Sequence, residues 1–464
     1  MTGQIVFCRS KAVACFNFRS TFLVLLVLAV TTCLVSLTWH SISLHPQSRL
    51  LRTLVARLQT WPENAPYILT KANTEEVSAE TRRIVADPHV SRVNCRRAWD
   101  GDTTEVTKAK RMTKARQRPG TSLRQYERLT RNCSSYRQHG GFRTIASVAE
   151  EELSFPLAFN ILVYKDVEQA ERLVRAIYRP HNVYCIHIDA KSDRVFRRKL
   201  TLISRCLPNV FLSDTSVNVT WGTFSTLEAE LTCMRQLMTQ RVAWRYLINL
   251  TGQEFPLKTN RELVQILKAF KGANDISGKT WKDEHRWEQF LPAPYNLTIH
   301  KGSVHIAVSR AFVDYVLSSR VSQELQDWVK PVPISDEIFF NTLDHNPQLG
   351  APGSLSEHMN FSHSDSFTRY KVWSFQKYLP CGGRFVREIC HLGVEDLQRL
   401  TTSSQMFANK FSYNYQPLAY DCLEEWLFWK IRREEEGRAV SLNLSLYESS
   451  VLTRLRYDGP VKVW

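Results

Sequence analysis

The sequence predicts an α/β protein with a mostly parallel central sheet, set behind a single apolar span near its N-terminus. Three observations predict it: hydrophobic runs that alternate between strand and helix periods after Phe155, one uncharged stretch before residue 40, and an even number of cysteines beyond that stretch. At 464 residues, 43% hydrophobic and 23% charged, the chain is neither a small disulfide scaffold nor a disordered tail. Its formal charge of +16 suggests an anionic partner: a nucleic acid, a membrane surface or a phosphate-bearing substrate.

Residues 21–39, TFLVLLVLAVTTCLVSLTW, carry no charge and can cross a hydrocarbon core of roughly 30 Å. Arg9, Lys11 and Arg19 precede them, and only Arg49 and Arg52 follow closely, which orients residues 1–20 as a cytoplasmic tail. The run is too long for the core of a cleaved signal peptide and no small-x-small site follows it, so an uncleaved signal anchor is expected. The remainder then lies in an oxidising lumen, where nucleic acid is excluded as a partner. Cys8, Cys15 and Cys33 fall in or before the anchor; Cys95, Cys133, Cys185, Cys206, Cys233, Cys381, Cys390 and Cys422 remain. No C-x-x-C spacing favours zinc, and spacing alone leaves the disulfide pairing open. Sequons at Asn132, Asn218, Asn249, Asn296, Asn360 and Asn443 agree with a secretory route. Asn249 ends a buried-looking strand and is expected to stay unmodified.

Residues 40–150 lack a sustained apolar period and are read as a stem and irregular N-terminal region. They crowd Lys108, Lys110, Arg111, Lys114, Arg116 and Arg118 together, a solvated linker in the plain reading and a polyanion patch or basic protease site in the functional one. After Phe155 come the strand 157–164, a helix from Val167 to Tyr178 with one apolar face, and the strand 182–189. A helix through residues 194–206, a short strand 209–214, a helix through 226–239, the strand 244–250 and a helix from Asn260 to about Lys271 follow. Such alternation means right-handed βαβ units, whose ligands bind beyond the carboxyl ends of the strands. That rule nominates Tyr164, Asp189 and the Thr251-Gly252-Gln253 turn.

No dinucleotide, P-loop, zinc-protease or serine-hydrolase motif occurs. The sheet and compartment suggest a sugar-nucleotide transferase, yet the one Asp-x-Asp match, Asp100-Gly101-Asp102, precedes the first sheet strand and is read as a loop. Without a metal, a leaving diphosphate needs fixed cations. Arg387, inside the short Cys381 to Cys390 interval, and Lys410, in the apolar QMFANKF, are candidates against the plain reading of exposed basic residues. Ser335-Asp336-Glu337 reads as an N-cap with acidic residues in the first turn, and equally as the site of a carboxylate base for a sugar hydroxyl.

In FPLAFNILVYKD, RLVRAIYRPHNVYCIHIDAKS, YLINLTGQEFPLKTN, KGSVHIAVSRAFVDYVL, SDEIFFNTL, GAPGS and MFANKF the chain resembles the β-1,6-N-acetylglucosaminyltransferases that make core 2 and I branches. The resemblance covers roughly residues 95–433. It implies a Golgi type II membrane protein with a metal-independent GT-A-like fold, a catalytic domain at 151–437 and a C-terminal extension at 438–464. Its partners would be UDP-GlcNAc and O-glycoprotein acceptor glycans, with no cofactor and a homodimer left open. Implied roles are Glu337 as catalytic base, Arg387 and Lys410 on the diphosphate, and Leu162, Val163, Tyr164, Asp189, Ala190, Lys191 and Trp221 on the donor. Arg286 and Trp373 fall at acceptor positions. The implied disulfides are Cys95–Cys422, Cys133–Cys206, Cys185–Cys233 and Cys381–Cys390.

Departures gather on the acceptor side. Ser277 stands nearest the place of an acceptor-binding Glu, and the expected Lys falls on Asp283 or Lys282. The family's W-x-Y becomes Trp373-Ser374-Phe375, and Thr251 replaces a Cys. The expected activity is inverting β-1,6 GlcNAc transfer to the GalNAc of Galβ1-3GalNAc. The alternatives are I-branching or xylosyl transfer to another acceptor, and an anchored polyanion-binding ectodomain without activity.

Overall fold

The computed structural model describes residues 93–113, 120–145, 148–280, 284–361 and 365–460, all within the compact unit Ile68–Trp464. The expected tail, anchor and first half of the stem lie outside the described residues, as do Lys114, Arg116, Arg118, Lys282 and Asp283. Among the described residues no helix is long and apolar enough to cross a membrane.

Among the described residues ten strands occur: β1 (Leu157–Val163), β2 (Val183–Ile188), β3 (Val210–Leu212), β4 (Tyr246–Thr251), β5 (Glu254–Pro256), β6 (Ala307–Ser309), β7 (Arg369–Tyr370), β8 (Arg384–Val386), β9 (Ile389–His391) and β10 (Phe407–Asn409). The main sheet has the order β3-β2-β1-β4-β6, with the first four parallel and β6 antiparallel to β4. Side chains alternate across a strand, and here both faces are filled. Phe159, Ile161, Tyr184, Ile186, Ile248 and Leu250 enter one core with the helices Val167–Ile177, Arg194–Arg205 and Asn260–Ala269. Ala158, Val183, Cys185 and Leu247 enter the other, with Ser225–Met238 and Arg310–Ser318. Strands β1 to β4 and the helices Val167–Ile177, Arg194–Arg205, Ser225–Met238 and Asn260–Ala269 begin and end within a few residues of the expected positions.

A second sheet, β5-β10-β7, packs under the helix Pro417–Glu435. That helix is joined to Val167–Ile177 by buried charge. Arg172 meets Asp421 at 2.7 Å and Glu424 at 2.5 Å, and Arg175 meets Glu424 at 2.7 Å. Burial alone would raise the Glu424 pKa; the two guanidiniums outweigh it and hold it below the ordinary range.

Two segments outside the expected sheet region are ordered parts of the fold, and the first is not the irregular region expected. Within the supposed stem, Cys95–Trp99, Thr103–Thr113, Leu123–Leu129 and Cys133–His139 are helices, and Tyr126, Tyr136 and Phe142 are buried in the sheet core. Each helix contributes only one to three apolar side chains, so no sustained period could build up; the disulfides Cys95–Cys422 and Cys133–Cys206 tie the segment down. Lys108 and Lys110 are ion-paired on this fold with Glu105 (3.0 Å) and Glu395 (2.7 Å) and do not belong to a linker. Cys185–Cys233 and Cys381–Cys390 complete the pairing that the resemblance implies.

The C-terminal extension is likewise part of the body. Tyr447 and Leu452 are 1% exposed in the same core as β1, Tyr447 packs against Phe367 at 4.8 Å, and its hydroxyl donates to the Ser404 carbonyl at 2.7 Å. Tyr447→Ala is expected to cost about 3 kcal/mol or more, as for other large buried aromatics. Chemical denaturation of the variant beside wild type measures it; an unchanged midpoint would make the extension an appendage.

Candidate active site

The parallel ladder sets the carboxyl ends of β1, β2 and β4 side by side: Leu162 is in register with His187 and Thr251, and Val163 with Ile188. Beyond β2 the Asp189 amide donates to the Val163 carbonyl at 3.0 Å, and its Oδ1 accepts the Lys191 amide at 2.8 Å. The Gly252 amide donates to the Leu162 carbonyl at 3.1 Å, so the Thr251-Gly252-Gln253 turn hangs on the same edge. Val163 is buried in the core, which leaves only its backbone for a ligand. Tyr164 and Trp221 are 52% and 79% exposed, flat aromatic surfaces left open at the rim. The loop bearing Trp221 is held by His187, whose Nε2 accepts the Val217 amide at 2.9 Å, and by the Ala190 amide on the Val217 carbonyl at 3.0 Å. Thus Leu162, Val163, Tyr164, Asp189, Ala190, Lys191 and Trp221 share one end of the sheet.

The cations stand beside it. Arg387 and Glu388 form the tip of the β8–β9 hairpin with φ of +48° and +66°, a two-residue turn that places both in the left-handed region without a glycine. Such a conformation costs of order 1 kcal/mol or more per residue and persists where surroundings impose it. Here the Cys381–Cys390 disulfide staples the hairpin, and the Cys390 and Ser374 amides pair with the carbonyls of Val372 and Glu388, each at 2.9 Å. Lys410 follows β10, and its carbonyl accepts the Leu392 amide at 3.0 Å. Burial pushes the Lys410 ammonium below the usual lysine range; Glu254 opposes this, and Lys165 and Arg387 add to it. His391, directly across from Arg384, is depressed to about 4 by burial and by Lys410, Arg384 and Lys165. The region is strongly cationic while its histidine stays neutral.

Glu337 closes the short turn Ser335–Glu337, entered through Ile334 at φ +55°. The Ile334 amide donates to the Gly222 carbonyl at 2.9 Å, which joins this turn to the Trp221 loop. Arg286 Nη1 donates to Glu337 Oε2 at 2.9 Å, and Lys301 Nζ lies 3.5 Å from the same oxygen. The carboxylate is oriented through Oε2, and its side chain is 21% exposed. From behind, the Gly302 amide donates to the Glu337 carbonyl at 2.8 Å. A side chain at Gly302 would place its Cβ 1.8 Å from the Ser277 carbonyl, so only glycine permits this approach.

Two readings of single residues change. Ser335 is not an N-cap: the reversal at Ile334 makes it the first residue of the turn, and its hydroxyl is buried without a partner. Ser277 cannot meet an acceptor, being 1% exposed with its hydroxyl accepting the Ser303 amide at 2.9 Å. Asp102 caps the helix Thr103–Thr113, its Oδ1 accepting the Thr104 and Glu105 amides at 3.0 Å, consistent with the loop reading. Among the described residues no three His, Cys, Asp or Glu side chains are grouped to hold a metal ion. Asn249 is 6% exposed with its side chain engaged by Glu230, Val304 and Ile306, no place for a glycan. Trp373 stacks on Phe375 at 5.6 Å beside the hairpin, a ring platform near the cations.

Three buried carboxyls lie deeper in the fold, and of these only Asp336 falls in a motif that the sequence offers. Burial, then the neighbouring Glu337, lifts Asp336 to about 7; burial lifts Glu230 to about 8 and Asp275 to about 7. Each binds a proton in the fold that it lacks unfolded above its ordinary pKa, so the associated stability is complete below about pH 4 and is lost as pH rises through 7 to 8. Each proton released costs about 1.4 kcal/mol per pH unit. The melting temperature is expected to fall between pH 6 and pH 8.5, and Asp336→Asn to flatten part of that slope. A melting temperature that rises over this interval would remove the acids from the account.

The family model for the core-2/I-branching enzyme matches residues 157–401. A human β-1,3-galactosyl-O-glycosyl-glycoprotein β-1,6-N-acetylglucosaminyltransferase 3 is 33% identical over 368 residues, 73% of this chain and 83% of that protein. The bovine herpesvirus 4 β-1,3-galactosyl-O-glycosyl-glycoprotein β-1,6-N-acetylglucosaminyltransferase is 33% identical over 363 residues, 72% of this chain and 82% of its own length. A solved galactosyltransferase, LgtC, superposes on 61% of this chain and 97% of its own with a TM-score of 0.31 and 9% identity, too slight a likeness to bear on function. With the matched region running from β1 to the helix Leu397–Thr401, and so through both Glu337 and the Arg387 hairpin, the chain belongs to the core-2/I-branching family of β-1,6-N-acetylglucosaminyltransferases.

Proposed function

We propose that the protein transfers GlcNAc from UDP-GlcNAc, in β-1,6 linkage and without a metal, to the GalNAc of Galβ1-3GalNAc O-glycans. The observation that carries this reading is a carboxylate held through one oxygen by Arg286 and Lys301, at a sheet end that also presents the cations Arg387 and Lys410. The acceptor's primary hydroxyl oxygen forms a bond to the anomeric carbon as its proton passes to Glu337 Oε1. The bond from that carbon to the diphosphate breaks, its electron pair leaves with UDP, and Arg387 and Lys410 meet the charge that develops. One displacement inverts the anomeric centre.

The GT-A-like fold is part of this reading, supported by the parallel β3-β2-β1-β4 order and donor residues at its carboxyl ends. So is a single-pass type II anchor in the Golgi, supported by the apolar 21–39 stretch and four luminal disulfides. The names of the relatives support the acceptor. One observation favours a different acceptor: the buried Ser277, with Phe375 in place of a tyrosine, offers no polar group where core 2 members are expected to have one. A polyanion-binding role is disfavoured by the ion pairs of Lys108 and Lys110.

The test is turnover of UDP-GlcNAc by the full-length protein in detergent with Galβ1-3GalNAc, beside a poly-N-acetyllactosamine acceptor, each with and without EDTA. A β-1,6 product from the first acceptor, at full rate in EDTA, is expected. Product only from lactosamine would move the acceptor assignment to I-branching; strict Mn²⁺ dependence would overturn the metal-free mechanism.

A further inference from the structure

Lys371 has no role in the mechanism above, yet its charge feels both Glu337 and Lys410. It follows β7, which runs parallel to β10 with Arg369 opposite Phe407 and Tyr370 opposite Ala408. The next residues on the two strands are Lys371 and Asn409, and Lys410 leaves from the same edge. The Lys371 ammonium lies 4.3 Å from the centre of the Trp373 ring, a cation–π contact that directs it.

The charged groups that face it are Lys410 from β10, Glu337 and Asp336 from the Ser335–Glu337 turn, Glu254 from β5 and Arg369 from β7. The three nearest carboxylates are all otherwise engaged or protonated. Glu337 is held by Arg286 and Lys301; Glu254 is held by Arg369 at 2.8 Å and Asn409 at 2.9 Å; Asp336 carries a proton up to about pH 7. Among the described residues no carboxylate comes within 4.0 Å of Lys371 Nζ. Two partly buried ammoniums on neighbouring strands repel each other, and burial then Lys410 lower Lys371 to about 8. Such a pair is stabilised when one multiply charged anion comes between its members.

We propose that Lys371 is a third cation for the diphosphate of the donor, sharing that anion with Lys410. The inference rests on the transferase reading above and adds a residue to its leaving-group site. It deepens the electrostatics in a specific way: binding of the anion draws a proton onto Lys371, so donor affinity depends on pH where the free lysine titrates.

The experiment is calorimetric titration of UDP into the full-length protein in detergent, between pH 7.5 and 9, in two buffers of different ionisation heat. Wild type is expected to take up protons on binding and to weaken as pH rises. Lys371→Met is expected to weaken UDP about tenfold or more at pH 7.5, the usual worth of a charged hydrogen bond, and to show a flatter pH dependence. Lys371→Arg, charged throughout, should restore affinity at pH 7.5 while also losing the dependence attributable to residue 371, and it decides the matter should the Met variant fail to fold. If wild type binds UDP and both variants match it in affinity and proton uptake, the inference fails while the transferase reading stands. A raised acceptor KM with unchanged UDP binding would likewise overturn it and place Lys371 on the acceptor. Failure of wild type to bind UDP overturns both.

Discussion

Glu337→Gln is expected to lower kcat by about 10³-fold or more while leaving UDP affinity within about threefold of wild type. The geometry sets both halves of that result. Glutamine is isosteric, and its carbonyl oxygen can still accept from Arg286 Nη1, so the turn between Ile334 and Ile338 keeps its shape. The amide cannot take up a proton at Oε1, however, and the acceptor hydroxyl must then attack while still protonated. In the proposed mechanism the donor meets the other half of the site, the ends of β1 and β2 and the β8–β9 hairpin, which the substitution does not touch. Steady-state turnover beside UDP titration separates the effects. A variant that keeps more than a tenth of wild-type turnover would remove Glu337 from the role of base, and a parallel loss of UDP binding would show that the carboxylate supports the fold of the site.

The central sheet was legible because β1, β2 and β4 are buried on both faces and bounded by amphipathic helices, so a local period carries the information. The strands β5 and β7 to β10 are two or three residues long, and their pairing is non-local: β10 lies between β5 and β7, which are far apart in sequence. No window of sequence contains that sheet, yet it positions Lys410. The helical 95–139 segment was missed for a related reason, its order coming from disulfides and single buried tyrosines.

Legibility of the site divides along the same line. Arg387 could be singled out because its interval is closed by Cys381 and Cys390, and the structure puts it on a stapled hairpin tip. Lys301, Lys371 and His187 are isolated polar residues in sequence and become informative only through tertiary neighbours: Glu337, Trp373 and the Val217 amide. Ser277, nearest in sequence to the place of an acceptor-binding Glu, is buried, and its hydroxyl takes a backbone partner instead, which no local pattern shows.

Lys410→Ala is expected to cost about 10²- to 10³-fold in kcat, the loss seen when one preorganised donor to a developing anion is removed. Lys410 follows the central strand of the β5-β10-β7 sheet, and its carbonyl takes the Leu392 amide, so the backbone that carries the ammonium is fixed before the donor arrives. Arg387 reaches the same region from the hairpin and acts electrostatically on Lys410. If both meet one diphosphate, removing either leaves the other to carry part of the charge, and their effects cannot be independent. The double variant Arg387→Ala, Lys410→Ala is therefore expected to lose less than the product of the two single losses. Arg387→Lys should recover little, since an ammonium cannot reproduce a two-pronged guanidinium contact. Retention of half the turnover by Lys410→Ala would sink its assignment. A double variant whose loss equals the product would show the two cations acting on separate groups, and the diphosphate would then have to be met by one of them alone.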